Sequence, residues 1–247
     1  MSTSKVLTDC IKSFLSACDV PLEKSTYLET GLFKGDSVQF ALDLNFKKII
    51  SIDIDKSAID NANQRFKNEV LNSRVLLVQG DSQEKIKEIF DQSINIIYLD
   101  AHNNDVDEET IAPLENEIKF LLDNVNEKQL IIIDDYIKIK NSYLFENNDK
   151  SWKSKLSYKK LKEIISYKGL NTFEIFSSSG TNCHLLLTKN KNFRIDKILF
   201  LRNLINRFIS IKFYYKKNYF RFMFKKLIIF LLPDKVYKIL KSMLKRS

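Results

Sequence analysis

The chain has 247 residues, 44% hydrophobic and 29% charged, which fits one large globular domain or one domain with an appendage. Three cysteines (Cys10, Cys18, Cys183) contain no CxxC pair, and two distant histidines, His102 and His184, leave too few soft ligands for a zinc site. A reducing, cytoplasmic compartment is the expectation. The net charge of +9 hides a division: Lys191 to Ser247 holds 16 of the 40 Lys/Arg but only Asp196 and Asp234 of the 31 acids, leaving 24 basic against 29 acidic residues before it. An acidic body carries a basic tail.

In chain order, residues 1–24 are expected to be an N-terminal helical segment. Val6 to Val20 is interrupted by Asp9, Lys12 and Asp19 and does not read as a secretory signal. Strands are expected at Thr26–Glu29, Lys48–Asp53, Val75–Gln79, Ile94–Asp100, Leu130–Asp134, Thr172–Phe176 and Cys183–Thr188. Runs such as IISI and LIIID are continuous and β-branched, as strands buried on both faces should be. Amphipathic helices are expected between them at Asp36–Leu44, Ser57–Asn68, Gln83–Phe90, Glu108–Val125 and Ser157–Tyr167. This βαβα alternation predicts a parallel sheet with helices on both sides, spanning residues 25–190. The loop Ser177–Asn182 suits a hairpin, so the last strand should be antiparallel. Residues 191–247 look helical and mix aromatic with basic side chains; their longest apolar run, Leu227–Leu232, is far below the roughly 20 residues that span a bilayer.

Ligands of open α/β sheets bind at the carboxyl ends of the strands. After the first strand comes Glu29-Thr30-Gly31-Leu32-Phe33-Lys34-Gly35-Asp36-Ser37. Its glycines let the backbone approach a ligand and the next helix offers N–H groups to a carboxylate, although the same spacing also makes a simple tight corner. Asp53 ends the second strand, 22 positions after Gly31, where a carboxylate can accept from ribose hydroxyls. Asp55, followed by Lys56-Ser57, reads as a helix cap. The third strand runs into Gly80-Asp81-Ser82-Gln83, suited either to an adenine edge or to capping the next helix.

The ordered segments YLETGLFKGDS, ISIDID, LLVQGDSQE, IIYLDAH and IIIDDY resemble class I S-adenosylmethionine-dependent methyltransferases. Within that class they are similar to the catechol and macrocin O-methyltransferase types and to methyltransferases of bacterial surface-polysaccharide clusters. The resemblance implies a doubly wound, seven-stranded, mostly parallel Rossmann-like sheet. It implies that Glu29, Gly31, Gly35 and Ser37 serve the methionine portion of the cofactor, Asp53 the ribose, and Asp81, Ser82 and Gln83 the adenine, with Asp100 bordering the same site. The usual third glycine is absent, Phe33 standing in the middle position.

Asp100 and the pair Asp134-Asp135 end neighbouring strands. Three converging carboxylates suit a hard divalent ion such as Mg²⁺, which the resembling enzymes hold there; alternatively Asp100 meets the cofactor's amino group and Asp134 caps a loop. The catechol-type enzymes place a lysine base where this chain has Asn103, which leaves His102 as the candidate base beside Asp100. His184, inside CHLLLT, is expected to be packed in the sheet. The expected activity is methylation of a hydroxyl on a sugar or other small acceptor. Competing readings are a non-catalytic binding protein of a glycan-modifying complex, an RNA methyltransferase using the basic tail, and, less favoured without GxGxxG, a dehydrogenase. Residues 193–247 are expected to touch an anionic membrane at its inner face, to grip RNA, or simply to cap the domain. Nucleic acid is the least favoured, because the body is acidic.

Overall fold

A computed structural model describes residues 5–101, 113–140, 158–166, 169–178 and 182–214. Seven strands form one sheet: β1 (Thr26–Thr30), β2 (Lys48–Asp53), β3 (Val75–Gln79), β4 (Ile94–Leu99), β5 (Leu130–Ile133), β6 (Asn171–Phe176) and β7 (Cys183–Thr188). Their spatial order is β3-β2-β1-β4-β5-β7-β6. The four pairings that join β3, β2, β1, β4 and β5 are parallel, and β7 runs antiparallel to both β5 and β6. The helices are α1 (Lys5–Ala17), α2 (Asp36–Asp43), α3 (Lys56–Arg65), α4 (Lys67–Leu71), α5 (Ser82–Ile89), α6 (Pro113–Asn124), α7 (Tyr136–Lys140), α8 (Tyr158–Ser166) and α9 (Lys197–Tyr214).

The two-residue period of the strands sorts their side chains into two cores. Tyr27, Ile49, Ile96, Tyr98, Leu130 and Ile132 pack with Phe14 of α1, Val38 of α2 and Ala62 of α3. Leu28, Ile50, Ile97, Leu99, Ile131 and Ile133 pack on the other face with Ile86 of α5, Ile118 of α6 and Leu161 of α8. With both faces covered, β1, β4 and β5 are buried throughout, which is why their sequences are unbroken apolar runs.

The predicted helix Ser57–Asn68 is two helices. Phe66 leaves helical geometry (φ −110°, ψ 30°) and turns its ring into the core, 2% exposed. Helix α1 and the start of the basic segment also contribute to the core. Val6, Leu7, Cys10, Ile11, Phe14 and Leu15 of α1 are buried, and Phe193, from the basic segment, sits edge-on to both Phe14 (5.4 Å) and Phe173 (5.2 Å). All three cysteines are buried and unpaired. Strand order reverses between β1 and β4, and this switch point is where a doubly wound sheet opens a crevice at its carboxyl edge.

Candidate functional site at the carboxyl edge of the sheet

Gly31 lies at that switch point, just after β1. The Gly31 N–H donates to Ile52 O (2.9 Å) and the Asp100 N–H donates to Thr30 O (3.0 Å), which draws the loops after β1 and β4 together. A Cβ at Gly31 would lie 2.4 Å from the backbone oxygen of Asp100, and its φ of +87° is one side chains rarely adopt, so only glycine allows this approach. Gly35 answers a different need. Its missing side chain makes room for the Phe66 ring, which a Cβ would meet at 2.7 Å. Arg65 fastens the same loop from α3, donating to Lys34 O (2.5 Å) and pairing with Asp36 (2.9 Å).

Asp53 stands at the end of β2, as expected, with both oxygens oriented by backbone. Oδ2 accepts from the Phe33 N–H (3.0 Å) and Oδ1 from the Asp55 N–H (2.9 Å). Each carboxylate oxygen keeps a further acceptor site, so the group can still receive ligand hydroxyls. Phe33 (φ 47°), whose N–H Asp53 accepts, and Ile54, the next residue, are exposed at 73% and 64%. The sequence marks Phe33 only as standing in place of a glycine and does not single out Ile54, because a lone exposed apolar residue is unremarkable until its place beside a polar strand end is known. Asp55 caps α3 by accepting from the Ser57 N–H (2.7 Å), and Asp81 caps α5 by accepting from the Gln83 N–H (2.9 Å). Gln83 in turn accepts from Asn116 of α6, and Ser82 is buried.

Glu29 lies beneath the Gly31 turn and is wholly buried. Ser51 donates to its Oε1 (2.7 Å), while Oε2 has no hydrogen-bond partner. Burial pushes its carboxyl up to about 7, opposed by the hydroxyls of Ser37 and Ser51. Glu29 and Ser37 are thus buried side by side at the turn that follows β1.

The acceptor side differs from expectation. Asp134, 5% exposed, directs Oδ1 at three donors: Asn182 Nδ2 (2.7 Å), the Asp135 N–H (2.7 Å) and His184 Nε2 (3.1 Å). Tyr98 Oη lies 3.3 Å from the same imidazole nitrogen. Burial would lower His184, but the Asp134 carboxylate overrides it and holds the imidazole above its ordinary value. Asp134 is held well below the carboxylate range: its burial is outweighed by His184 and by hydrogen bonds from Tyr98 and the Asp135 N–H. His184 is packed in the sheet as predicted, and it is also the counter-ion of Asp134.

Asp134 does not offer its Oδ1 to a divalent ion. A metal ligand needs an oxygen lone pair free of competing donors, whereas Asp134 is buried with Oδ1 already shared among an amide, a backbone N–H and an imidazole. Among the described residues no group of three His, Cys, Asp or Glu side chains could hold a metal. His102 lies outside the described residues, as does the tail from residue 215 onward.

No protein-family model matches the chain, and no curated protein matches it. Solved structures do. The chain is similar to the cofactor-bound Rv0187 from MTB, at 14% identity over 77% of this chain and 82% of that one, with a TM-score of 0.52. It is also similar to a putative O-methyltransferase from Klebsiella pneumoniae, at 14% identity over 75% of this chain and 90% of that one, with a TM-score of 0.50. At such identity the likeness is one of architecture, and the seven-stranded sheet with its reversed β7 is the α/β methyltransferase fold.

Proposed function

We propose that the chain is an S-adenosylmethionine-dependent methyltransferase acting on a hydroxyl of a sugar or similar small acceptor. One observation carries this reading: at the switch point, Gly31 is closed against Asp100 so tightly that no Cβ fits, beside the strand-end carboxylate Asp53. The residues present fit this cofactor. The glycine turn offers close backbone approach, Asp53 keeps acceptor sites for two ribose hydroxyls, Asp81, Ser82 and Gln83 border the place of the adenine, and Asp100 lies at the amino end of the methionine portion. Glu29, Gly35 and Ser37 support the turn.

S-adenosylmethionine, when bound, supplies a methyl group already activated on a sulfonium. The chain's own work is to hold the acceptor oxygen in line, to keep water out, and to take one proton from the acceptor hydroxyl. His102 is proposed for that proton, with Asp100 beside it. No step is assigned to a metal ion, since Asp134 spends its Oδ1 on Asn182, His184 and a backbone N–H. Residues 193–247 are proposed to touch an anionic membrane at its cytoplasmic face, close to lipid-linked or nascent glycans.

Calorimetry of the full chain with S-adenosylmethionine should show binding that Gly31→Ala weakens at least about a hundredfold and Asp53→Asn about tenfold, on the scale of a lost pair of charge-assisted hydrogen bonds. Binding of NAD without any response to S-adenosylmethionine would overturn the reading. A methyl-transfer screen against nucleotide sugars and oligosaccharides then identifies the acceptor.

A further inference from the structure

Helix α9 has its amphipathic sense reversed. The side that meets the body is polar. Asn203 Oδ1 accepts from the Phe176 N–H (2.8 Å) and its Nδ2 donates to Glu174 O (2.6 Å), while Asn206 Nδ2 donates to Phe176 O (2.8 Å). Asn206 and Ser210 are buried, with Leu199 beside them. β6 is the last strand of the sheet, so these amides satisfy backbone groups that would otherwise recruit another strand.

The outward side is apolar. Ile198, Leu201, Ile205 and Ile209 are spaced three, four and four residues apart, which places them in one stripe along the helix, at 65%, 45%, 59% and 41% exposure. Surface helices ordinarily turn such a stripe inward, and a contiguous exposed one marks an interaction surface. The charge of the helix itself has one sign, and one of its cations, Arg202, is paired with Asp9 of α1 (3.1 Å). The sequence of α9 contains Lys197, Arg202, Arg207 and Lys212 with no Asp or Glu. Beyond Tyr214 the chain adds ten Lys/Arg, interleaved with Phe and Tyr, against Asp234 alone.

We propose that the outer stripe of α9 is a docking surface for an anionic lipid bilayer. The helix lies flat, Ile198, Leu201, Ile205 and Ile209 enter the boundary between headgroups and acyl chains, and the flanking cations meet lipid phosphates. Charge decides between occupants. A second copy of α9 would set one cationic helix against another, whereas an anionic surface complements both the stripe and its flanks. No helix among the described residues is long and apolar enough to cross a membrane, so the contact is peripheral. This assignment rests on the membrane contact proposed for residues 193–247 and names the face that makes it; it is independent of the methyl-transfer reading.

The test is flotation of the full chain with phosphatidylcholine vesicles, with or without phosphatidylglycerol. The wild type should float with the anionic vesicles only. A chain carrying Ile198→Ser, Leu201→Ser, Ile205→Ser and Ile209→Ser together should bind them at least about tenfold more weakly, with unchanged circular dichroism and unchanged S-adenosylmethionine calorimetry. A second variant needs no loss of apolar surface elsewhere: Ile205→Cys can be labelled with an environment-sensitive dye, because Cys10, Cys18 and Cys183 are buried. Its emission should shift to the blue with anionic vesicles and stay put with neutral ones. Equal flotation of the wild type and the serine variant with no dye shift would overturn the α9 assignment and leave the basic tail as the contact. No flotation of the wild type would overturn the membrane contact altogether. A wild-type dimer by light scattering that the serine variant dissolves would assign the stripe to a second copy instead. Loss of S-adenosylmethionine binding in the wild type would touch only the catalytic reading.

Discussion

The two halves of the carboxyl edge hold their acids in opposite ways. On the side of β1, β2 and β3, Asp53, Asp55 and Asp81 are half-exposed or exposed and bind backbone N–H groups two residues ahead, Asp53 taking the Phe33 N–H as well. On the side of β5 and β7, Asp134 is buried and is satisfied across 48 residues by Asn182 and across 50 by His184. Local partners leave a carboxylate with spare acceptor sites and access to solvent, which suits a ligand. Long-range partners consume it. The first half keeps acceptor sites within reach of solvent, and the second is an internal charge pair at the junction of the parallel sheet with its reversed strand.

Removing His184 should break this contrast with the largest effect. His184→Ala leaves the Asp134 carboxylate buried with only an amide, a hydroxyl and a backbone N–H, and should cost about 3–5 kcal/mol in denaturant unfolding. Replacing both partners, His184→Leu with Asp134→Asn, should cost less than the single change, because no unpaired charge remains. The pH profile follows from the two directions. Asp134 contributes stability above its ordinary 3.8 and loses it as pH falls through its lowered value. His184 contributes below its ordinary 6.5 and loses it as pH rises through its raised value. The pair is strongest between those two ordinary values. An unfolding profile in which His184→Ala costs nothing there would show that the pair is not the counter-charge.

Glu29 sharpens the comparison from below the cofactor turn. The folded protein keeps it protonated up to about 7, whereas the unfolded chain ionises it near 4.5, so the folded state is favoured most below the lower value and loses that advantage as pH rises through the upper one. Glu29→Gln preserves an acceptor for Ser51 and abolishes the ionisation. Near pH 8 the variant should be more stable than the wild type by up to about 3 kcal/mol, and near pH 4 the two should coincide. Parallel stability curves would mean that Glu29 is ionised in place and that the crevice is wetter than its burial implies.

The strands were legible because their causes are local. A strand buried on both faces must be an apolar run, and KIISID, INIIYL and LIII are such runs. The capping roles of Asp55 and Asp81 were legible for the same reason, their partners being the next residues but one. The partnership of Asp134 with His184 was not. It depends on β7 lying antiparallel to β5 with Ile133 opposite Leu185, a register that no spacing in the sequence encodes. The carboxylates Asp100, Asp134 and Asp135 therefore looked like metal ligands when one of them had a cation of its own. The polar buried side of α9 was hidden likewise: its asparagines are explained only by the exposed edge of β6. A charge count of the same segment pointed to a membrane without saying which face would meet it.

The smallest expected effect separates the two meanings of a strand-end acid. Asp55 and Asp81 have the same local geometry, each accepting from the N–H two residues on at 2.7 and 2.9 Å and each opening a helix. Alanine at either position should cost about 1 kcal/mol of stability, the usual worth of an N-cap. They differ in what lies around them. Asp55 opens α3 one residue beyond Ile54, after the strand end that Asp53 occupies, while Asp81 precedes Ser82 and Gln83, the latter tied to Asn116 of α6. Asp55→Ala should therefore leave S-adenosylmethionine affinity unchanged, and Asp81→Ala should weaken it severalfold for the same loss of stability. If calorimetry shows the two variants alike, Asp81 is a cap alone and the adenine edge must be sought nearer to Asp53, between exposed Ile54, its neighbour in the chain, and exposed Phe33, whose N–H it accepts.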